Sequence, residues 1–293
     1  MKNLIIITGG AGFVGANLIK YLLTKTKLKI ISIDNYSSGH KKNHIKNKNV
    51  KYIIGDINNI DKILYKHRKN INVIFHFGEF ARIHQSFVKT EECFHSNISG
   101  TAKVFLFCLK NKIKIIYSAT SASLGNKGKD QSLSPYAFTK SKNLKLLIHL
   151  KKWFDIKFEV LYFYNVYGPK QIEEGPMATV IGIFERQFKK NKILTVTKPG
   201  TQSRKFTHIE DTVKGCFYAW KKNLNRHYLL SNTKSYTILA VAKMFGGKVK
   251  FVKARLGERN KSSLVNKIGK IKTYSIPCTI SLNQYIHNIT SKN

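Results

Sequence analysis

Tyr136-Ala137-Phe138-Thr139-Lys140 sets a phenol and an ammonium at the spacing Y-x-x-x-K. On a helix, residues i and i+4 share a face, so the two groups can act at one place. A phenol, with a reference pKa of about 10, is a poor base at neutral pH unless a nearby cation favours the phenolate. Lys140 could supply that cation. Many amphipathic helices carry Y-x-x-x-K by chance, so the pair takes its meaning from its surroundings. Before it stands Ser118-Ala119-Thr120-Ser121-Ala122-Ser123. A hydroxyl there could hold a reacting oxygen by a hydrogen bond, with Thr120 the first candidate and Ser118 the reserve. Ordinary turn capping accounts for most of these hydroxyls.

A second constellation lies near the N-terminus. Thr8-Gly9-Gly10-Ala11-Gly12-Phe13-Val14-Gly15 follows the apolar run Leu4-Ile5-Ile6-Ile7. Gly9, Gly12 and Gly15 form G-x-x-G-x-x-G, a variant of the dinucleotide fingerprint. The missing side chains allow a tight turn, close approach to a pyrophosphate, and packing of helix on strand. The helix N-terminus then offers free N–H groups to phosphate. A glycine turn alone could be merely a tight connection. Its place between strand and helix, with Asp34 ending the next strand, raises it to a dinucleotide site, because a carboxylate there accepts hydrogen bonds from an adenosine ribose. A 2′-phosphate would meet like charge at Asp34, which favours NAD over NADP. Asp56 is either an adenine-side contact or a turn cap. The candidate cofactor contacts are Gly9, Gly12, Phe13, Val14, Gly15, Asp34, Asn35, Asp56, Ile57, Phe77 and Lys140.

Both constellations need a scaffold, and the apolar pattern describes one. Strands are expected at Leu4–Thr8, Lys29–Asp34, Val50–Ile54, Val73–Phe77, Lys114–Ser118 and Phe158–Phe163. Their continuous apolar character suggests cover on both faces, as in a parallel sheet. Helical stretches lie between them at Asn17–Leu23, Ile60–His67, Thr101–Lys110 and Pro135–Trp153. This alternation predicts an α/β fold, a Rossmann-type doubly wound parallel sheet. After Gly168-Pro169 the pattern changes to a helix near Val180–Lys189, a strand near Leu194–Thr197 and a last helix near Ser281–Ile289. The expected organisation is a Rossmann domain over residues 1–168, carrying the Tyr136 helix, and a small, interleaved C-terminal α/β substrate lobe over residues 169–293.

The charge balance is lopsided: 52 basic against 15 acidic side chains give a formal net charge of +37. Clustered cations would mark a nucleic-acid or other anionic partner. Arginine is the preferred reader of phosphates and bases, yet lysines dispersed through nearly every segment dominate here. Dispersion fits a solvated surface, so nucleic acid is not expected, although a positive field favours anionic substrates. Cys93, Cys108, Cys216 and Cys278 lie far apart without a C-x-x-C pair. Neither a disulfide framework nor a metal site is expected, and reduced thiols suggest a cytoplasmic protein. No apolar run approaches the ~20 residues that span a bilayer, so no membrane association is expected.

With the glycine loop, the Ser/Thr-ended strand and the Tyr136–Lys140 pair assembled, the chain resembles the extended short-chain dehydrogenase/reductase family. Within it, the resemblance is to NAD-dependent nucleotide-sugar epimerases of the UDP-glucose 4-epimerase kind. It covers most of the chain and includes Val73-Ile74-Phe75-His76-Phe77, Asn97-Ile98-Ser99-Gly100-Thr101, Tyr164-Asn165-Val166-Tyr167-Gly168-Pro169 and Arg204-Lys205-Phe206-Thr207-His208-Ile209-Glu210-Asp211. The resemblance implies a UDP-linked nucleotide sugar as substrate, a tightly bound NAD that is not consumed, and a homodimer. It implies catalytic roles for Tyr136, Lys140 and Thr120. Asn165, Arg204 and Arg255 would then face the diphosphate or sugar, with Thr120 and Tyr136 at the reacting carbon. Taken without the resemblance, Asn165 reads as a turn former and the arginines as solvated.

Family members that are sugar 4,6-dehydratases carry an Asp-Glu pair after the strand-end threonine, and related decarboxylases carry a Glu. Ser121 and Ala122 stand in those places here. That contrast favours epimerisation, at C4, through transient oxidation to a keto-sugar and re-reduction. Two alternatives stay open: a nucleotide-sugar reductase or dehydrogenase that consumes NAD(P)H, and a non-catalytic NAD-sensing Rossmann protein with an anionic partner. The chain also departs from the family. Gly78-Glu79-Phe80-Ala81-Arg82 replaces a small-residue stretch, which puts Glu79 and Arg82 near the expected nicotinamide. Leu124 stands where tyrosine is common, and both the Gly125–Tyr136 stretch and the C-terminal lobe are short. These changes bear on the sugar and leave the catalytic pair intact.

Overall fold

Runs of isoleucine and valine become strands covered on both faces, and the rest of the fold follows from covering them. A computed structural model describes residues 2–124, 130–254, 257, 267–268 and 271–291. β1 (Leu4–Thr8) is buried at every residue. It passes through the glycine loop into α1 (Phe13–Lys25), which starts at Phe13 rather than Asn17 because Gly12 already has the extended backbone of an N-cap. β2 (Lys29–Asp34), β3 (Val50–Ile54) and α2 (Ile60–Leu64) follow. The helix expected to reach His67 changes at Tyr65 to a 3₁₀ stretch without a buried residue, so no apolar face holds it to the sheet. β4 (Ile71–His76) begins at Ile71 rather than Val73, because a bulge between Leu4 and Ile5 adds a pairing of Leu4 with Ile71.

Next come α3 (Ile83–Val88), α4 (Thr90–Phe94), a π-helical turn (His95–Gly100), α5 (Thr101–Lys110), β5 (Lys114–Thr120), α6 (Pro135–Phe154) and β6 (Phe158–Phe163). The second half holds β7 (Val166–Tyr167), α7 (Val180–Lys189), β8 (Leu194–Thr197), β9 (Ser203–Lys205), β10 (Thr207–His208), α8 (Ile209–Lys222) and β11 (His227–Leu230). It ends with β12 (Ser235–Thr237), α9 (Ile238–Met244), β13 (Val249–Val252), β14 (Lys267–Ile268), β15 (Ile271–Ile276) and α10 (Leu282–Thr290).

The main sheet has the order β14-β15-β11-β6-β5-β4-β1-β2-β3. All its neighbours pair in parallel except the antiparallel edge pair β14–β15. The Rossmann-type α/β fold is therefore as the sequence pattern predicts. One face packs Ile6, Phe105, Tyr117, Leu147 and Tyr162. The other packs Ile5 and Ile7 against Leu18, Ile19 and Leu22 of α1 and Ile209, Val213 and Cys216 of α8. Each such side chain contributes roughly 1.5–3 kcal/mol by leaving water. β11 and α8 thus serve the first half's sheet although they come from the second half of the chain. The short pairs β7–β10, β9–β12 and β8–β13 surround a third core of Tyr167, Phe184, Val196, Phe206 and Phe245. Among the described residues no helix is long and apolar enough to cross a membrane.

Candidate active site

The order of strands reverses between β1 and β4. From β1 the chain builds β2 and β3 to one side, and from β4 it builds β5 and β6 to the other. Loops leaving a parallel sheet at such a point part and leave a crevice at the strands' carboxyl ends. A cleft of about 430 Å³ lies there, lined by the glycine loop, the segment after β4, the end of β5 and the first turns of α6.

Gly9, Gly12, Phe13, Val14 and Gly15 line one end of the cleft with Asp34, Asn35, Ile57 and Phe77. Gly9 has φ +72, and a Cβ on it would lie 2.8 Å from the backbone C and O of Phe77. A Cβ on Gly15 would lie 2.2 Å from the Gly9 carbonyl oxygen. Only glycine lets α1, the loop and the end of β4 come this close. Asp34 Oδ2 accepts from Ala11 N at 2.9 Å and Oδ1 from Tyr36 N at 2.8 Å. Burial raises its pKa, against the lowering effect of those hydrogen bonds and of His44. Asp56 accepts from Asn58 N at 2.8 Å and from Asn35 Nδ2 at 3.1 Å, capping the turn whose first residue, Ile57, lines the cleft. Backbone open to close approach, a helix N-terminus and a carboxylate at the end of β2 are the features a dinucleotide needs, and these residues fit NAD.

At the other end, Ser134 caps α6, its Oγ accepting from Ala137 N at 3.1 Å, and Pro135 occupies the first turn. Tyr136 therefore enters the cleft within the first turn, its backbone N–H held by Ser86 Oγ at 3.1 Å. Lys140 lies one turn on, 4% exposed, with Nζ donating to the Ser118 carbonyl and paired with Glu79 Oε2. The ammonium also stands 4.7 Å from the centre of the Tyr117 ring. Thr120 Oγ1 accepts from Ala122 N at 3.1 Å, so Thr120 both caps the turn after β5 and lines the cleft. Ser118 Oγ donates to the His76 carbonyl at 2.9 Å, tying β5 to β4.

Glu79 is the centre of a network that the sequence did not reveal. Its Oε1 accepts from Thr101 Oγ1 at 3.0 Å, Asn143 Nδ2 at 3.0 Å and Tyr117 OH at 3.2 Å. Burial lowers the His76 pKa to about 4, so its ring is neutral. With Thr101 donating to Glu79, His76 Nε2 donates to Thr101 at 3.0 Å and Nδ1 accepts from Thr8 Oγ1 at 2.7 Å. A continuous chain, Thr8–His76–Thr101–Glu79–Lys140, thus runs from the end of β1 to α6. Asn97 clamps the segment at two points, its Oδ1 accepting from Phe80 N at 2.7 Å and its Nδ2 donating to Phe80 O at 3.1 Å. The signals in the sequence were Glu79 in place of a small residue and the segments holding His76, Asn97 and Thr101 that carry the resemblance; no spacing linked them, or Asn143, to Glu79.

The far side of the cleft joins a second cavity of about 230 Å³. Asn165 and Arg204 line both. Asn165 has φ +36 and donates from Nδ2 to Lys205 O at 2.8 Å, so a turn position and a cleft position coincide in one residue. Arg204, on β9, donates from Nη1 to Ser203 O at 2.9 Å. Arg82 also lines both cavities and donates from Nε to Met177 O at 2.7 Å. Ser121 and Ala122 line the cleft beside Thr120. Arg255 lies outside the described residues.

Known proteins share this architecture. An uncharacterised UDP-glucose epimerase of Bacillus subtilis is 31% identical over 227 residues, which cover 72% of this chain and 70% of its own. A UDP-N-acetyl-alpha-D-glucosaminuronate decarboxylase of Bacillus cytotoxicus is 28% identical over 77% of this chain and 73% of its own. The fold of the Thermotoga maritima UDP-glucose 4-epimerase, solved with UDP-glucose, matches with a TM-score of 0.86 at 23% identity, covering 98% of this chain and 97% of that one. Residues 5–231 match the model of the NAD dependent epimerase/dehydratase family. The glycine loop, the cleft and the Tyr136–Lys140 helix all fall within that match, and the chain belongs to the NAD-dependent epimerase/dehydratase family.

Proposed function

We propose that the protein epimerises a UDP-linked sugar at C4 by transient oxidation to a keto-sugar and re-reduction. The observation that carries this reading is the cleft wall opposite the glycine loop. It presents Tyr136, Lys140 and Thr120, while Ser121 and Ala122 stand where a dehydratase or decarboxylase needs further acid–base groups. Glu79, the carboxylate at that wall, is held by Lys140 and three neutral donors.

NAD, when bound, accepts a hydride from the sugar carbon and later returns it. Tyr136 takes the proton of the C4 hydroxyl as hydride leaves the same carbon, and gives a proton back on the return step. Thr120 orients the oxygen, and Lys140 holds the nicotinamide ribose. Arg204, with Asn165, anchors the diphosphate while the oxidised ring turns over, since an arginine fork suits phosphate oxygens. Holding both reactants in one cleft removes the entropic cost of a bimolecular encounter. Because the cofactor ends unchanged, it stays with the protein. The same reading makes the enzyme a cytoplasmic homodimer, residues 1–168 binding NAD and residues 169–293 mainly the nucleotide sugar.

The test is NMR of purified protein with UDP-galactose and no added NAD. UDP-glucose should appear, and NAD should be released when the protein is denatured. In a second sample supplied with excess NAD, NADH formed in step with sugar consumed would identify a dehydrogenase instead. Bound NAD without conversion of any sugar nucleotide would leave only the sensor reading.

A further inference from the structure

We infer that Glu79 and Arg82 redistribute the positive charge beside Tyr136: Glu79 holds and neutralises Lys140, and Arg82 is the cation that acts on the phenol. The inference rests on Tyr136 being the base of the proposed reaction. Lys140 and Glu79 are buried together, with side chains 5% and 3% exposed. Glu79 Oε1 receives three donors, Thr101, Tyr117 and Asn143, an arrangement that suits an ionised acceptor and leaves no site for a proton. Charges this close act at a distance as a dipole, so Lys140 keeps its hydrogen-bonding capacity while losing most of its reach as a charge. Lys140 becomes a fixed hydrogen-bond donor.

Arg82 is in the opposite situation. Its described hydrogen bonds go to two neutral carbonyls, Met177 O at 2.7 Å and Ala81 O at 3.3 Å. Among the described residues no carboxylate lies within ion-pair distance of it. It lines the cleft with Tyr136, two residues before His84, whose Nδ1 is buried without a partner. Burial lowers the pKa of Arg82, and attraction to Tyr136 opposes that lowering. Among the described residues, the charged and titratable groups that line the cleft with Tyr136 are Asp34, Glu79, Arg82, His84 on α3, Lys140 on α6 and Arg204, and Tyr117 on β5 interacts with it electrostatically. Of the cations in the β4–α3 segment and α6 that line the cleft, Lys140 is neutralised by a carboxylate and Arg82 is not.

The two residues predict shifts of opposite sign. Ionisation of Tyr136 is read by ultraviolet difference titration of tyrosinate, each protein being compared with the same protein carrying Tyr136→Phe. Glu79→Gln should restore the reach of the Lys140 charge and lower the titration midpoint by about one pH unit; Arg82→Gln should raise it by about one unit; Arg82→Lys should restore most of it. The acid limb of the turnover profile should move in the same directions, and bound NAD should remain in the Arg82 variants. A midpoint that ignores Arg82→Gln, or that rises in Glu79→Gln, overturns the inference. If Glu79→Gln does not fold, the Arg82 pair decides alone. The titration needs no turnover, so correct shifts in a protein that converts no sugar would defeat the epimerase reading and leave only the assignment of charges around Tyr136 standing.

Discussion

The two ends of the cleft are built differently. At the glycine-loop end, the wall is built of backbone: consecutive residues turn where a side chain would not fit, and Asp34 is fixed by the N–H groups of Ala11 and Tyr36. At the tyrosine end, the wall is built of side chains from separate elements: His76 on β4, Glu79 after it, Thr101 on α5, Tyr117 on β5, Lys140 and Asn143 on α6. A backbone site tolerates change in chemistry but not in volume. A side-chain network tolerates volume better than loss of a partner, because each buried polar group left unpaired carries its full desolvation penalty.

The largest effect should come from removing the proposed base. Tyr136→Phe is expected to cut turnover about a thousandfold while NAD remains bound, measured by NMR conversion and by NAD released on denaturation. Lost NAD together with lost turnover would mean that the two ends are not separable.

Acid should act next, on His76 at the side-chain end and on His227, which lies on β11 outside the cleft. Burial lowers the pKa of His76 and of His227 to about 4, against an ordinary value of 6.5. Between those values the unfolded chain binds protons that the folded chain refuses, so stability falls as pH drops from about 6.5 towards about 4, by at most ~3 kcal/mol per histidine. Asp34, whose pKa burial raises, works in the opposite sense within the carboxylate range. Urea unfolding at pH 7 and pH 5 should show the loss, and a His227→Gln variant should show a shallower one.

Volume should strike the backbone end. Gly9→Ala places a Cβ against Phe77 and should destabilise by roughly 1–3 kcal/mol, with loss of retained NAD. Gly175→Ala has a similar φ of +77 but open space, and should cost about 1 kcal/mol from backbone strain alone, with NAD retained. Equal losses in the two variants would remove the steric argument. Between these two losses stands Thr101→Val, which takes one donor from Glu79 and one acceptor from His76. A loss of about 1–2 kcal/mol by thermal melting, with NAD retained, is expected.

The strands Leu4–Thr8, Lys29–Asp34, Val50–Ile54 and Phe158–Phe163 were legible to the residue: β1 is buried throughout and apolar up to Thr8, whereas β3, at the sheet edge with no buried residue, is marked by its β-branched residues and tyrosine. The boundaries that moved did so for nonlocal reasons. Ile71 joins β4 through a bulge opposite β1, and the helix after β3 gives way to 3₁₀ geometry where no residue is buried. The short helices α3 and α4 and the π turn before α5 carried no clear period, though they hold Ser86 and Asn97, which position Tyr136 and the Glu79 segment.

The sequence by itself determined a glycine turn between a strand and a helix, a carboxylate ending the second strand, and a phenol one helical turn from an ammonium. Each is set by backbone preference or periodicity within a few consecutive residues. Only the tertiary structure decided that Glu79 pairs with Lys140, that His76 links Thr8 to Thr101, and that α8 and β11 return to complete the first half's sheet. Those partners are far apart in the chain, and no local rule relates them. They meet because strands from both halves pair side by side and helices from both halves cover the same two faces.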